Sequence, residues 1–205
     1  MNTTTVSNSS AANAVSGGHH DQSELKQFGF WVYLMTDLIL FSALFATFAA
    51  IGFNYAGGKT GKELFDLPYL FVETMFLLVS SMVFGFAMVA MHAGKKNLTL
   101  IGIILTFVLG LGFVGMEIHE FGEMIAQGAG PDRSGFLSAF FALVGCHGLH
   151  VSIGLLWMIV MAVQVVKKGF TTGVTSRMMR LSLFWHFLDI VWVGVFSFVY
   201  LLGMI

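Results

Sequence analysis

Five acidic residues stand out by position: Asp37, Glu73, Glu117, Glu120 and Asp189 fall within or at the edge of long apolar stretches. All ten Lys and Arg lie in loops or at the ends of those stretches, so none can neutralise them from inside. A charge at mid-bilayer costs about 2.5–3.5 kcal/mol on the insertion scale, so each acid needs a partner, a bound proton or a wet cavity. The cationic partners available in the same stretches are His119, His147, His150 and His186.

Depth decides which of these can meet. With the turn between the third and fourth stretches centred near Pro131, Glu117 is level with Gly145 and Glu120 with Ala142. His147 lies slightly deeper on the facing helix, so a Glu117–His147 contact is in reach. One polar network of Glu117, Glu120, His147 and His150 is the expectation, with Glu73, His186 and Asp189 as further buried polar members. Asp37 stands nine residues past Phe28 in a run that carries no other charge. That is about 13 Å along a helix axis, too deep for a short side chain to reach the headgroups. It is the candidate for proton handling or lipid fixation, with His186 as a possible partner at similar depth.

The histidine spacings raise metal and haem as alternatives. His147-x-x-His150 and His186-x-x-Asp189 each place two ligating side chains on one helical face, which suffices for two ligands to one ion. Haem held by two histidines needs them on opposite faces of the ring, and two residues about 4.5 Å apart on one helix cannot supply that. Di-iron bundles need two Glu-x-x-His motifs, and none is present. The expectation is therefore no metal or catalytic site in this chain. Cys146, the sole cysteine, excludes internal disulfides and reads as a small packed residue. His19-His20 reads as a solvated pair.

These residues must be positioned by membrane helices. Of 205 residues, 57% are hydrophobic and 10% charged, which excludes a soluble enzyme, and a net charge of −1 leaves no basic field for nucleic acid. Apolar stretches run over about 28–53, 68–92, 98–127, 136–166 and 181–205. Each suffices for the roughly 20 residues that cross a bilayer as a helix. Helices satisfy their own backbone in hydrocarbon, and the continuous runs do not fit alternating barrel strands. The fold class is thus all-α, a five-helix transmembrane bundle over 28–205. Residues 1–27 form a polar tail, expected to be mobile, with no apolar core of a signal peptide.

Lys26, Lys95, Lys96, Lys167, Lys168, Arg177 and Arg180 share one side of a five-span topology, against Lys59, Lys62 and Arg133 on the other. The N-terminus is then inside and the C-terminus outside. Gly85, Gly102, Gly110, Gly112, Gly145, Gly148 and Gly154 would let helices approach closely. Trp31, Trp185, Trp192 and Tyr200 read partly as interfacial anchors. The loops expected are an outer connection at 54–67, a tight turn at 128–134 and a polar inner segment at 167–179.

Three stretches carry a resemblance. Gly145-Cys146-His147-Gly148-Leu149-His150-Val151 is similar to the G-F-H-G-x-H-V signature of subunit III of the haem–copper respiratory oxidases, with Cys146 in place of Phe. Trp185-His186-Phe187-Leu188-Asp189-Ile190-Val191-Trp192 resembles the W-H-F-[VL]-D-[VI]-V-W of that family near its C-terminus. Glu117-Ile118-His119-Glu120-Phe121 stands where the family shows Q-x-x-E-[FY], and Asp37 where its first matching helix carries a buried Glu. The resemblance runs from about Phe28 to the end. Larger members have seven helices, and the first two are lacking here, as in five-helix bacterial forms. The run from Pro131 to Phe141 resembles the bo-type ubiquinol oxidase branch.

That resemblance implies an accessory subunit of a bacterial inner-membrane oxidoreductase in the respiratory chain. Haem and copper would belong to subunit I, which reduces oxygen and pumps protons. The partners implied are subunit I as main contact, subunits II and IV, and phospholipids, with no nucleic acid. Three other readings stay open: the third subunit of a cytochrome c oxidase, a proton-coupled transporter using Asp37, Glu73 and Asp189, and a small haem or quinone enzyme. Against the transporter stands the lack of repeats and interrupted helices.

Overall fold

The computed structural model describes residues 6–51 and 67–201, with side chains described over 25–51 and 67–200. The outer connection at 52–66 with Lys59 and Lys62, the His19-His20 side chains and the chain end at 202–205 lie outside the described residues. Among the described residues there are five helices long and apolar enough to cross a membrane, and no strand. They are α1 (Val6–Ile51), α2 (Leu67–His92), α3 (Lys96–Ala126), α4 (Gly135–Lys168) and α5 (Thr172–Val195), which continues as a π-helical turn, Phe196–Leu201. The helical run of α1 starts well ahead of its apolar part, Leu25–Ile51.

Two compact units divide at Leu38. In the first, within α1, the rings of Phe30 and Tyr33 lie 5.9 Å apart, and Tyr33 shares a side-chain hydrogen bond with Asp37 one turn on. The second unit holds residues 39–51 and α2 to α5. In it α2 packs on α3, α3 on α4, α4 on α5, and α5 returns to α2. Residues 39–51 lean on this ring through aromatic contacts, Phe41 with Phe187 and Phe48 with Phe136.

The turns follow from local chemistry. Pro68 stands in the first turn of α2, where an N–H has no helical acceptor to lose. The α2 end is a glycine-terminated cap: Gly94 adopts φ 71°, its N–H donates to Met91, and the Lys95 N–H reaches back to Ala90 at 3.0 Å. The same pattern closes α3, with Gly128 at φ 75° and the Ala129 N–H on Met124 at 2.9 Å. Ser134 then caps α4 by accepting from the Leu137 N–H.

The α4–α5 junction is shorter than the polar segment expected at 167–179. Gly169 ends α4 with φ 63°, and α5 begins at Thr172 instead of Leu181. Val174, Met178 and Leu181 recur at helical spacing and are all buried, so the polar residues among them ride on the outside of a helix. Lys96 Nζ donates to the Val166 carbonyl, tying the start of α3 to the end of α4.

Glycine packing is confirmed at specific places. A Cβ on Gly102 would strike Ala87, one on Gly110 would strike Leu155 and Trp185, and one on Gly112 would strike Phe76. Gly85 faces open space, so close approach does not explain it. Trp185, Trp192 and Tyr200 are no interfacial anchors here: each is 1% exposed or less, in the core of the second unit. Their polar atoms find partners inside, which makes full burial tolerable.

Candidate functional site

Glu73 of α2 and Glu117 and Glu120 of α3 form the most polar part of the interior. The i, i+3 spacing puts Glu117 and Glu120 on one face of α3. Glu73 lies close enough to both to interact with them electrostatically. All three are buried, at 0%, 3% and 8% exposure. Tyr200, brought in by the π-helical turn, donates its hydroxyl to Glu120 Oε2 at 3.1 Å. Tyr69, one turn before Glu73, donates to the Met116 carbonyl at 3.1 Å and fastens α2 to α3 at this level. Both carboxyl oxygens of Glu73 and Oε1 of Glu117 have no hydrogen-bond partner among the described residues.

Gly148 of α4 explains how Glu117 is accommodated. A side chain there would collide with both carboxyl oxygens of Glu117, so the carboxylate lies directly against the α4 backbone. Beside it runs a groove of about 260 Å³ between α3 and α4, lined by Val114, Glu117, Ile118, Phe121, Gly145, Gly148, Leu149 and Ser152.

The histidines are arranged differently. His147 Nε2 faces the Leu188 carbonyl at 3.1 Å; a carbonyl only accepts, so the proton is on Nε2. Its ring is packed by Phe113 and Trp192, with centroids 5.8 and 4.9 Å away. His150 Nδ1 donates to the Cys146 carbonyl of its own helix at 2.7 Å. His186 Nδ1 is 2.6 Å from Ser81 Oγ, and Ser81 also bonds Asp189. Two indoles add cross-links from α5 to α2: Trp185 to Ser80 at 3.1 Å and Trp192 to Thr74 at 3.2 Å.

The structure therefore brings Glu73, Glu117 and Glu120 together, and separately His186 with Asp189. Glu117 Oε1 and His147 Nδ1 both lack a partner, so no hydrogen bond joins those two atoms; His147 turns to α5 instead. His119 lies near the ring of Tyr69, at 6.2 Å. Asp37 sits in the first unit beside Tyr33. Sequence reasoning missed Tyr69, Tyr200, Thr74, Ser80 and Ser81. Thr74 is adjacent to Glu73, and Ser80-Ser81 is a polar pair amid an apolar run, which was a readable signal. Tyr200 reads from the sequence as an interfacial anchor and not as a partner for Glu120, because a π-helical turn sets its direction.

Among the described residues no group of three or more His, Cys, Asp or Glu is arranged to hold a metal ion. His147 and His150 direct ring N–H groups at backbone carbonyls of this chain, one on α5 and one on α4 itself.

Fold and contacts together define a multi-pass helical membrane protein whose intramembrane polar groups link its own helices. The chain belongs to the cytochrome c oxidase subunit III family, whose model matches residues 8–204. It is 56% identical to the cytochrome bo(3) ubiquinol oxidase subunit 3 of Pseudomonas putida over 186 residues, 91% of this chain and 90% of that protein. To the protein of the same name from Pseudomonas aeruginosa it is 53% identical over 205 residues, covering 98% of each. A quinol oxidase subunit 3 of Bacillus spizizenii is 42% identical over 184 residues, 90% of each chain.

Proposed function

We propose that this chain is the accessory third subunit of a bo-type ubiquinol oxidase, without a redox centre of its own. The observation that carries this reading is similarity above 50% over nearly the full length to proteins named as that subunit. In this reading haem and copper reside in subunit I, where oxygen is reduced and protons are pumped. This chain packs on subunit I, beside subunits II and IV, in a bacterial inner membrane. The Lys and Arg distribution supports an inside N-terminus and an outside C-terminus.

The buried acids, His147 and the His186–Asp189 pair act as helix–helix fasteners, and Asp37 is the residue proposed for proton or lipid handling. Bound phospholipid is supported by an apolar groove of about 450 Å³ between α2 and α3, lined by residues such as Val83, Phe86 and Ile101, with Lys95 among them. An acyl chain would lie in the groove and a phosphate near the lysine. The family name also covers cytochrome c oxidases, so the donor separates two versions of the reading.

The test is purification through a tag on this chain in mild detergent from native membranes. Larger partners with haem absorbance and ubiquinol oxidase activity are expected. Activity with cytochrome c in place of quinol moves the assignment to the other branch. A colourless chain that purifies alone overturns it and restores the transporter reading.

A further inference from the structure

Fastening helix to helix accounts for two of the three clustered acids and leaves Glu73 unexplained. Glu120 accepts from Tyr200, and the Glu117 carboxylate is seated against the α4 backbone at Gly148. Glu73 approaches that pair from a different helix, is fully buried, and has no hydrogen-bond partner at either oxygen among the described residues. A carboxyl group placed there without a donor is tolerable when it carries its own proton, because a neutral acid loses far less on leaving water than a carboxylate does.

The surroundings supply no opposite charge. All Lys and Arg stand in loops or at the ends of the apolar stretches. On α2 the nearby titratable group is Tyr69, whose hydroxyl donates to the Met116 carbonyl. On α4 the facing group is the Gly148 backbone, and His147 is turned away to Leu188. The π-helical turn brings Tyr200, whose hydroxyl donates to Glu120. His119 and Glu123 of α3 are exposed. Glu120 and Glu117 are the charged groups that act on Glu73, and both repel a carboxylate there. Three ionised groups would add that repulsion to three separate desolvations. The three acids are not arranged to share a metal ion.

Access is from one end. Glu120 stands six residues from the α3 end at Ala126, about 9 Å along the axis, and is the most exposed of the three. Tyr69 is half-buried and close enough to Glu73, Glu120 and the exposed Glu123 to interact with all of them. It therefore bridges the buried acids and the helix end.

We propose that Glu73, Glu117 and Glu120 form a proton-binding site: Glu73 and Glu117 are neutral acids at neutral pH, and Glu120, held by Tyr200, gains and loses a proton on the Tyr69 side. Such a site goes beyond the oxidase reading, since it is a property of this chain whichever complex holds it.

The test is infrared spectroscopy of the complex purified through a tag on this chain, comparing the parent with Glu73→Gln, Glu117→Gln and Glu120→Gln. A protonated carboxyl has a C=O stretching band of its own, distinct from the carboxylate bands and shifted in D2O. At neutral pH Glu73→Gln and Glu117→Gln are each expected to remove one carboxyl group's share of the protonated band. Glu120→Gln should remove carboxylate intensity instead, together with part of the parent's change on acidification. Glu73→Gln should assemble as the parent does, since Gln keeps the shape of a neutral acid. Loss of carboxylate intensity in Glu73→Gln or Glu117→Gln overturns the proposal, as does failure of Glu73→Gln to assemble. An acidification change undiminished in Glu120→Gln also overturns it. So does a protonated band that falls when sodium is raised at fixed pH, which would make an alkali cation the ligand. Haem absorbance in the same samples reports on the oxidase reading separately, and its absence leaves the infrared result standing.

Discussion

The carboxylate of Glu117 rests against the backbone of α4 at the place where a side chain on Gly148 would begin. An acid of one helix is thereby locked into a gap in the next, and the gap is one residue wide. His147, the preceding residue, is turned the other way and bonds the Leu188 carbonyl of α5. Adjacent positions on α4 thus fasten it to two different neighbours, and the Gly-x-His-Gly part of the motif has a packing reason for its glycine at 148.

Gly148→Ala should therefore destabilise the bundle by about 1–3 kcal/mol, the usual scale of overpacking. Gly145→Ala, one turn earlier, should be neutral or stabilising by up to about 1 kcal/mol, since its Cβ finds ordinary space. Thermal unfolding of the purified protein in detergent separates the two. Equal losses in both variants would show that the Glu117 contact is unimportant. Adding Glu117→Ala to Gly148→Ala should recover part of the loss, as coupled neighbours do.

Tyr200→Phe should cost about 1–3 kcal/mol, because the ring stays in place while Glu120 Oε2 loses its donor in a dry interior. The same unfolding assay reads it. Glu120→Gln on top of Tyr200→Phe should cost less than the sum of the single changes. Strict additivity would mean that the Tyr200–Glu120 bond contributes nothing.

How far the sequence could be read depends on what each feature needed. Hydropathy sufficed for the five spans, because a helix in lipid is a property of one continuous segment. The start of α5 was missed because Thr172–Arg180 is polar on average while its buried stripe, Val174, Met178 and Leu181, is sparse. The acids are conspicuous by type, and depth counting sets Glu117 level with Gly145 and puts His147 in its reach, whereas the structure seats its carboxylate against Gly148. Depth counting could not show which way His147 turns, since that depends on helix rotation. Nor could it show that Glu73 joins the other acids from α2 or that Tyr200 folds back through a π-helical turn.

The indole contacts yield a different test. Trp185 Nε1 and Trp192 Nε1 donate to Ser80 and Thr74 on α2, and both rings are buried. Trp192→Phe should lose about 3 kcal/mol or less, combining a lost donor and a partly filled cavity. Thr74→Val removes the acceptor while keeping the shape. If the hydrogen bond matters, Thr74→Val should destabilise the parent more than it destabilises Trp192→Phe. Equal effects in both backgrounds would assign the whole cost to packing.

Asp37 carries the prediction closest to function. It lies one turn after Tyr33 on α1, within the apolar part of that helix, and shares a hydrogen bond with that tyrosine. Asn at 37 keeps the size and most of the hydrogen bonding but cannot ionise. If the residue only packs, the complex with Asp37→Asn should match its parent in every respect. If it exchanges protons or holds a lipid beside subunit I, the complex should assemble with normal haem content and a normal initial rate. Its activity should then decay faster over repeated turnovers. The decisive measurement is oxygen consumption followed through many turnovers alongside proton release, with Tyr33→Phe as a companion variant. Parent-like rate, pumping and endurance in Asp37→Asn would leave ionisation at this position without a role. An equal decay in Asp37→Asn and Tyr33→Phe would point to the hydrogen-bonded pair, and decay in Asp37→Asn alone to the carboxylate itself.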